Sequence, residues 1–199
     1  ELVNGDVPVV TIDHVFNNRM AILSDNVAGT KALVQQAWAC GHRRIAFIHG
    51  EKTAVTENRL AGFYQACEEL GLKAPEEYVR CGVYHDVDRC AEETRALLAL
   101  PQRPTCIIFP DDFSALGGYN ALTEAGLSIP EDISVMGYDG IYLSRVVKPS
   151  LVTYQQNTKS LGRLAADKLI ELIEHPRVTL PEQIRVSGKL LDGGSVRIL

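Results

Sequence analysis

The chain has 199 residues, 46% of them apolar and 23% charged, with a formal net charge of −5. That is the composition of a folded globular protein with a sizeable core. It holds no apolar run long enough to span a bilayer, and its acidic balance gives no electrostatic footprint for nucleic acid. Cys40, Cys67, Cys81, Cys90 and Cys106 are odd in number and form no Cys-x-x-Cys pair. They read as reduced core residues, which favours a cytoplasmic protein.

Taken in order, Val7-Pro8-Val9-Val10-Thr11-Ile12 reads as a strand ending at Asp13. Residues 14–24 show no clear period and are expected to form a connecting loop. Asp25 or Asn26 can cap a helix carrying Val27, Ala32, Leu33, Ala37 and Trp38, which stops at Gly41. Ile45-Ala46-Phe47-Ile48 is the next strand, followed by a polar turn to Thr56 and a helix from about Glu57 to Leu70. Tyr78–Cys81 is a short strand, Tyr84-His85-Asp86 a loop, and Val87–Leu100 a helix stopped by Pro101.

Thr105–Phe109 is a β-branched apolar run of the kind buried on both faces. It ends in Pro110-Asp111-Asp112, and a helix with Ala115, Leu116, Tyr119, Leu122 and Ala125 on one stripe leads to Gly126. Ile133–Met136 is another strand, ending in Gly137-Tyr138-Asp139-Gly140. Then come a strand over 150–154 and an amphipathic helix over 158–174, capped by Thr158 and ended by His175-Pro176. Gln183–Val186 and Lys189–Leu191 read as antiparallel edge strands. Strand and helix alternate with short connections, so the fold class is α/β with a mostly parallel sheet.

Asp13, Asp111 and Asp139 each follow a strand. In an open parallel sheet that places them at the crevice where ligands bind, although an acid there can also simply cap the next helix. Asp112, immediately before a helix, reads as that cap. Arg59 falls in the first turn of its expected helix, where a cation opposes the macrodipole, so its fork suits a diol or carboxylate; the plainer reading is a surface residue. Tyr84 can stack on a sugar face or pack locally. Gln156 can bond hydroxyls or be an exposed loop amide. The five histidines show no metal-ligand spacing, and the chain has no Gly-x-Ser-x-Gly, Walker or Gly-x-Gly-x-x-Gly motif. Neither a metal, a cofactor nor an enzymatic activity is expected.

The runs Gly41–Gly50, Asn58–Phe63, Asp111–Gly117, Ile129–Asp139 and Pro149–Thr153 resemble, in order and spacing, the effector-binding core of the lac and galactose repressor family. The resemblance covers Pro8 to Ser195. It implies a periplasmic-binding-protein-like fold of two Rossmann-like subdomains. Residues 1–24 and 150–176 would form a partial amino-terminal subdomain, and 25–149 with 177–199 a carboxy-terminal one. The helix-turn-helix headpiece and the opening strand–helix units of the family fall outside this chain.

By the same resemblance Asp13, Arg59, Asp111, Asp139 and Gln156 line an effector pocket, and Tyr84 occupies a position often aromatic. The family pattern has Asn-Asp where this chain has Asp111-Asp112, which points to an effector that is cationic, amine-bearing or richer in donors than a plain sugar. The expected function is small-molecule sensing, of a carbohydrate or derivative, by a cytoplasmic bacterial transcriptional regulator. It would form a homodimer through residues 113–125 and 141–146 and reach operator DNA only through the headpiece. The rival is an extracytoplasmic sugar-binding protein of a transporter.

Overall fold

The computed structural model describes residues 7–16 and 19–199. These divide into two compact units, one formed by the chain up to Asp25 with Gln156–Gly188, the other by Asn26–Gln155 with Lys189–Leu199.

The first unit is a three-stranded parallel sheet in the order β1 (Val10–Ile12), β2 (Met20–Ser24), β8 (Gln183–Val186), with α6 (Thr158–Glu174) against it. Its core gathers Met20, Ile22, Leu161 and Ala165, with Val10, Leu164, Ile184 and Val186 packed around them. Three sequence expectations change here. The expected loop over 14–24 contains β2, the middle strand of this sheet. Met-Ala-Ile-Leu is buried almost without interruption and so lacks the alternation that marks a half-exposed strand. Residues 183–186 pair in parallel with β2 instead of forming an antiparallel edge. The cap of α6 is Asn157, whose Oδ1 accepts from the Ser160 amide at 3.2 Å, not Thr158.

The second unit is a doubly wound sheet in the order β4 (Val79–Cys81), β3 (Ile45–His49), β5 (Cys106–Ile108), β6 (Ser134–Asp139), β7 (Val152–Gln155), β9 (Lys189–Leu191). All neighbours are parallel except β9, which runs antiparallel to β7. Because successive side chains in a strand point to opposite faces, the apolar strands feed two cores. Ile45, Phe47, Cys106, Ile108, Met136 and Tyr138 meet Leu33 and Val34 of α1 (Asn26–Ala39) and Phe63 and Ala66 of α2 (Ala54–Glu69). Ala46, Ile48, Ile107, Phe109 and Val135 meet Cys90 and Leu97 of α3 (Val87–Leu98) and Ala115 and Leu122 of α4 (Ala115–Glu124). Gly126 closes α4 with φ +68°, a left-handed residue as expected of a helix end.

These pairings also move the division of the chain. Residues 152–155, expected in the amino-terminal subdomain, are a strand of the six-stranded sheet, whereas 183–186, expected in the carboxy-terminal one, belong to the first unit. The strand order around β3 places β4 on one side and β5 on the other. The connections therefore reverse direction between β3 and β5, and the carboxyl ends of those strands form the crevice where open α/β sheets bind ligands.

Candidate functional site

The crevice of the second unit is built around Arg59. Its helix begins at Ala54, capped by Thr53, whose hydroxyl accepts from the Thr56 amide, so Arg59 lies in the second turn and not the first. The macrodipole argument for it therefore loses force, because that effect is confined to the end turn. Burial replaces it: Arg59 is only 4% exposed. Its Nε donates to Asn26 Oδ1 at 2.9 Å and its Nη1 to the Pro110 carbonyl at 2.5 Å, at the end of β5. The guanidinium carbon lies 3.6 Å from the centroid of the Tyr138 ring. A desolvated stack of this kind contributes about 2 kcal/mol. Gly29 makes it possible, since a Cβ there would overlap the Tyr138 hydroxyl.

Arg59 Nη2 faces Asp139 Oδ1 at 3.7 Å, a charge contact longer than a hydrogen bond. Asp139 ends β6 with φ +100°, and Gly140 follows with φ +67°. A positive φ is costly for a residue with a Cβ and is kept where the surroundings over-determine it. Tyr84 lies 5.7 Å from the Arg59 guanidinium, bonds Thr56 Oγ1 through its hydroxyl at 2.9 Å, and rests its ring where a Cβ on Gly50 would be. His85 beside it also has a positive φ, +58°.

Asp111 takes the capping role expected of Asp112, and Asp112 takes neither role. Asp111, expected at the rim, is 1% exposed with both oxygens turned inward. Oδ1 accepts from the Ser114 amide at 2.7 Å, and Oδ2 from the Ser114 hydroxyl at 2.8 Å and the His85 amide at 3.0 Å. It caps the turn into α4 and holds the 84–85 loop, so its own carboxylate is not exposed to an effector. Asp112, expected as the cap, is equally buried and bonds Thr153 Oγ1 at 2.5 Å and the Ile141 amide at 2.8 Å. Burial, with Asp139 adding to it, pushes its carboxyl up to about 7 against those hydrogen bonds.

In the first unit Asp13 follows directly on β1 with φ +51°. Its Oδ1 accepts from the Ser24 amide at 2.6 Å, and its Oδ2 lies 3.0 Å from Ser24 Oγ, which in turn lies 2.5 Å from the Gln156 side-chain carbonyl. One hydroxyl proton cannot serve both acceptors. With the Gln156 amide turned nitrogen-first, Gln156 donates to Ser24 and Ser24 to Asp13.

The structure thus groups Arg59, Asp139 and Tyr84, with Asp111 beneath their loop, in the second unit, and Asp13 with Gln156 in the first. Asn26, Tyr138 and Ser24 were not read from the sequence as site residues. Tyr138 had a local signal in its place beside Asp139; Asn26 and Ser24 are tied to their partners only by tertiary contacts. Among the described residues no cluster of His, Cys, Asp and Glu is placed to hold a metal ion. A fixed fork of donors beside a carboxylate acceptor suits neighbouring hydroxyl groups.

Residues 34–196 match the family described as periplasmic binding protein-like domain. The chain is 36% identical over 175 residues to the HTH-type transcriptional repressor PurR of Haemophilus influenzae, covering 85% of this chain and 51% of that protein. It is 36% identical over 194 residues to the ribose operon repressor of Escherichia coli K12, covering 95% and 58%. Among solved structures, a LacI family transcriptional regulator from Enterococcus faecium with bound ribose superposes with a TM-score of 0.85 at 26% identity, covering 96% of this chain and 71% of that one. The chain therefore spans between half and three fifths of the length of these curated relatives.

Proposed function

On the premise that this chain belongs to the periplasmic binding protein-like domain family, as the effector-binding core of a LacI-type regulator, we propose that it senses a sugar or sugar-like effector for a bacterial transcriptional repressor. The observation that carries this reading is the buried Arg59, stacked on Tyr138, fastened to Asn26 and Pro110, and set against Asp139 at the ligand end of the sheet.

Arg59 and Asp139 supply donors and an acceptor to adjacent hydroxyls, Tyr84 supplies an apolar ring, and Asp111 holds the loop that carries that ring. Asp13 and Gln156 are the effector contacts of the first unit. Effector binding shifts the population between states that do and do not hold operator DNA, with no catalytic step. The DNA contact belongs to a headpiece. The named relatives are repressors, which favours a regulator over a transporter's solute-binding protein. A cytoplasmic location fits that reading and the free state of all five cysteines.

Self-association through residues 113–125 and 141–146 is part of the same proposal. Phe113, Ile141, Tyr142 and Val146 all expose large apolar side chains, Tyr142 at 79%, and such patches mark interfaces. Sedimentation velocity of the intact protein should give a dimer, and a strict monomer argues against this surface.

The effector is tested by thermal shift of the intact protein against D-ribose, other sugars, sugar acids, amino sugars and purines. Ligand held by the native state raises the midpoint by mass action. At least one sugar or derivative should raise it in the parent and not in Arg59→Lys. A panel that leaves the parent unmoved counts against a sugar sensor.

A further inference from the structure

The effector reading leaves Asp112 without a task, yet its carboxyl is among the most thoroughly connected groups of the second unit. Its backbone amide donates to the Tyr138 carbonyl at 2.8 Å, fastening it to the last residues of β6. Oδ1 accepts from Thr153 Oγ1 of β7, and Oδ2 from the Ile141 amide, with the Gly140 amide also directed at the carboxyl. Gly137 leaves the space it occupies, because a Cβ there would overlap Asp112 Oδ1.

The turn so held is a strained one. Asp139 and Gly140 both have positive φ, and the amides of Gly140 and Ile141 converge on one carboxyl. Ile141 then opens the segment that carries the exposed apolar side chains. Its carbonyl accepts from the Ser144 amide at 3.1 Å and the Ser144 hydroxyl at 2.8 Å, and the Ser144 carbonyl accepts from the Leu151 amide at 2.7 Å. Asp139, on the other side of the turn, is the charged group that faces Asp112; β7 presents it with a hydroxyl, and the turn with amides.

We propose that Asp112 is a positioning residue that couples Asp139 to the segment Ile141–Val146, fixing the turn between them through hydrogen bonds whose strength follows its own charge. Ionised, the carboxylate accepts charge-assisted bonds from Thr153 and from the turn amides. Neutral, it keeps both connections by donating its proton from Oδ1 to Thr153 Oγ1, while Oδ2 accepts from the turn more weakly. Neutralising or masking Asp139 removes a like charge from beside Asp112 and favours its ionised form. The turn that presents Asp139 is then held more tightly, and so is the segment that follows. The biological meaning of this link rests on Asp139 being an effector contact, but the link itself operates without a ligand.

The test follows the backbone amide resonance of Ile141 by NMR between pH 5 and 9 in the unliganded intact protein. The parent should show a titration with a midpoint near 7, where the Asp112 carboxyl is expected to ionise. In Asp139→Asn the midpoint should fall, and in Asp112→Asn the titration should vanish. A flat parent profile, an unmoved midpoint in Asp139→Asn, or a profile that survives Asp112→Asn each overturns the proposal. If Asp112→Asn does not fold, the carbon resonance of the Asp112 carboxyl in the parent and in Asp139→Asn decides the matter, since it must share the Ile141 midpoint in both. A protein that responds to no sugar yet shows this shared titration loses the effector reading and keeps the coupling.

Discussion

The first unit lays one helix on a three-stranded sheet, whereas the second covers six strands on both faces. Among the described residues, buried apolar side chains form one cluster of four in the first and clusters of fourteen and twelve in the second. A sheet covered on both faces buries its central strands almost completely, so the apolar side chains of β3, β5 and β6 are surrounded. In the first unit Ile170 and Ile173 of α6 remain exposed. The same α/β grammar thus yields a stiff platform in one place and a thinner layer in the other. The platform holds the more elaborate group of candidate residues, the one built around Arg59.

The sharpest way to break this comparison is to excavate both cores. Phe63→Ala should cost about 3–5 kcal/mol, and Ile22→Ala should fall toward the lower part of the range of about 2–5 kcal/mol. Denaturant unfolding followed separately in each unit checks this, and equal losses would show the thinner layer to be packed as tightly as the platform. Native-state hydrogen exchange should also find the amides of β2 less protected than those of β5.

Next in size is the pH dependence conferred by Asp112, a buried acid with no counterpart in the described core of the first unit. Its folded value, about 7, lies above the ordinary carboxylate value of 3.8. The folded state therefore holds this proton longer than the unfolded state. The associated stability is fully present below about pH 4, is lost as pH rises towards 7, and does not return above it. A shift of this size corresponds to about 2–4 kcal/mol. Asp112→Asn should flatten that part of the stability profile, measured as melting midpoints from pH 4 to 8.

Arg59→Lys keeps the charge but loses the planar stack on Tyr138 and the fork shared between Asn26 and Pro110. Affinity for a sugar identified by thermal shift should drop about 100-fold, near 2.7 kcal/mol, read by calorimetry. Gln156→Ala, in the first unit, should cost less, about tenfold, for loss of a neutral hydrogen-bonding partner. The smallest effects come from matched cap deletions. Thr53→Ala on α2 and Asn157→Ala on α6 should each cost about 1 kcal/mol. The same loss should lower the protection of the first unit by the larger fraction.

By itself the sequence determined the alternation of strands and helices in the second unit. Its strands carry apolar runs that only a sheet covered on both faces accommodates, and its helices carry the stripes that cover them. It also determined that acids stand just beyond strand ends, because Asp13 and Asp139 follow directly on apolar runs. What it could not carry was pairing between distant segments. Residues 183–186 are parallel to β2 because their neighbour lies more than 150 residues earlier in the chain, and nothing local encodes that choice. The transfer of the cap from Asp112 to Asp111 has the same origin. Adjacent acids are equivalent in one dimension, and only folding turned one toward Ser114 and His85 and the other toward Thr153 and Ile141. Arg59 shows both sides. Its chemistry was legible from its type, but its burial against Tyr138 was decided by a sheet that brings residues 59, 110 and 138 to one edge.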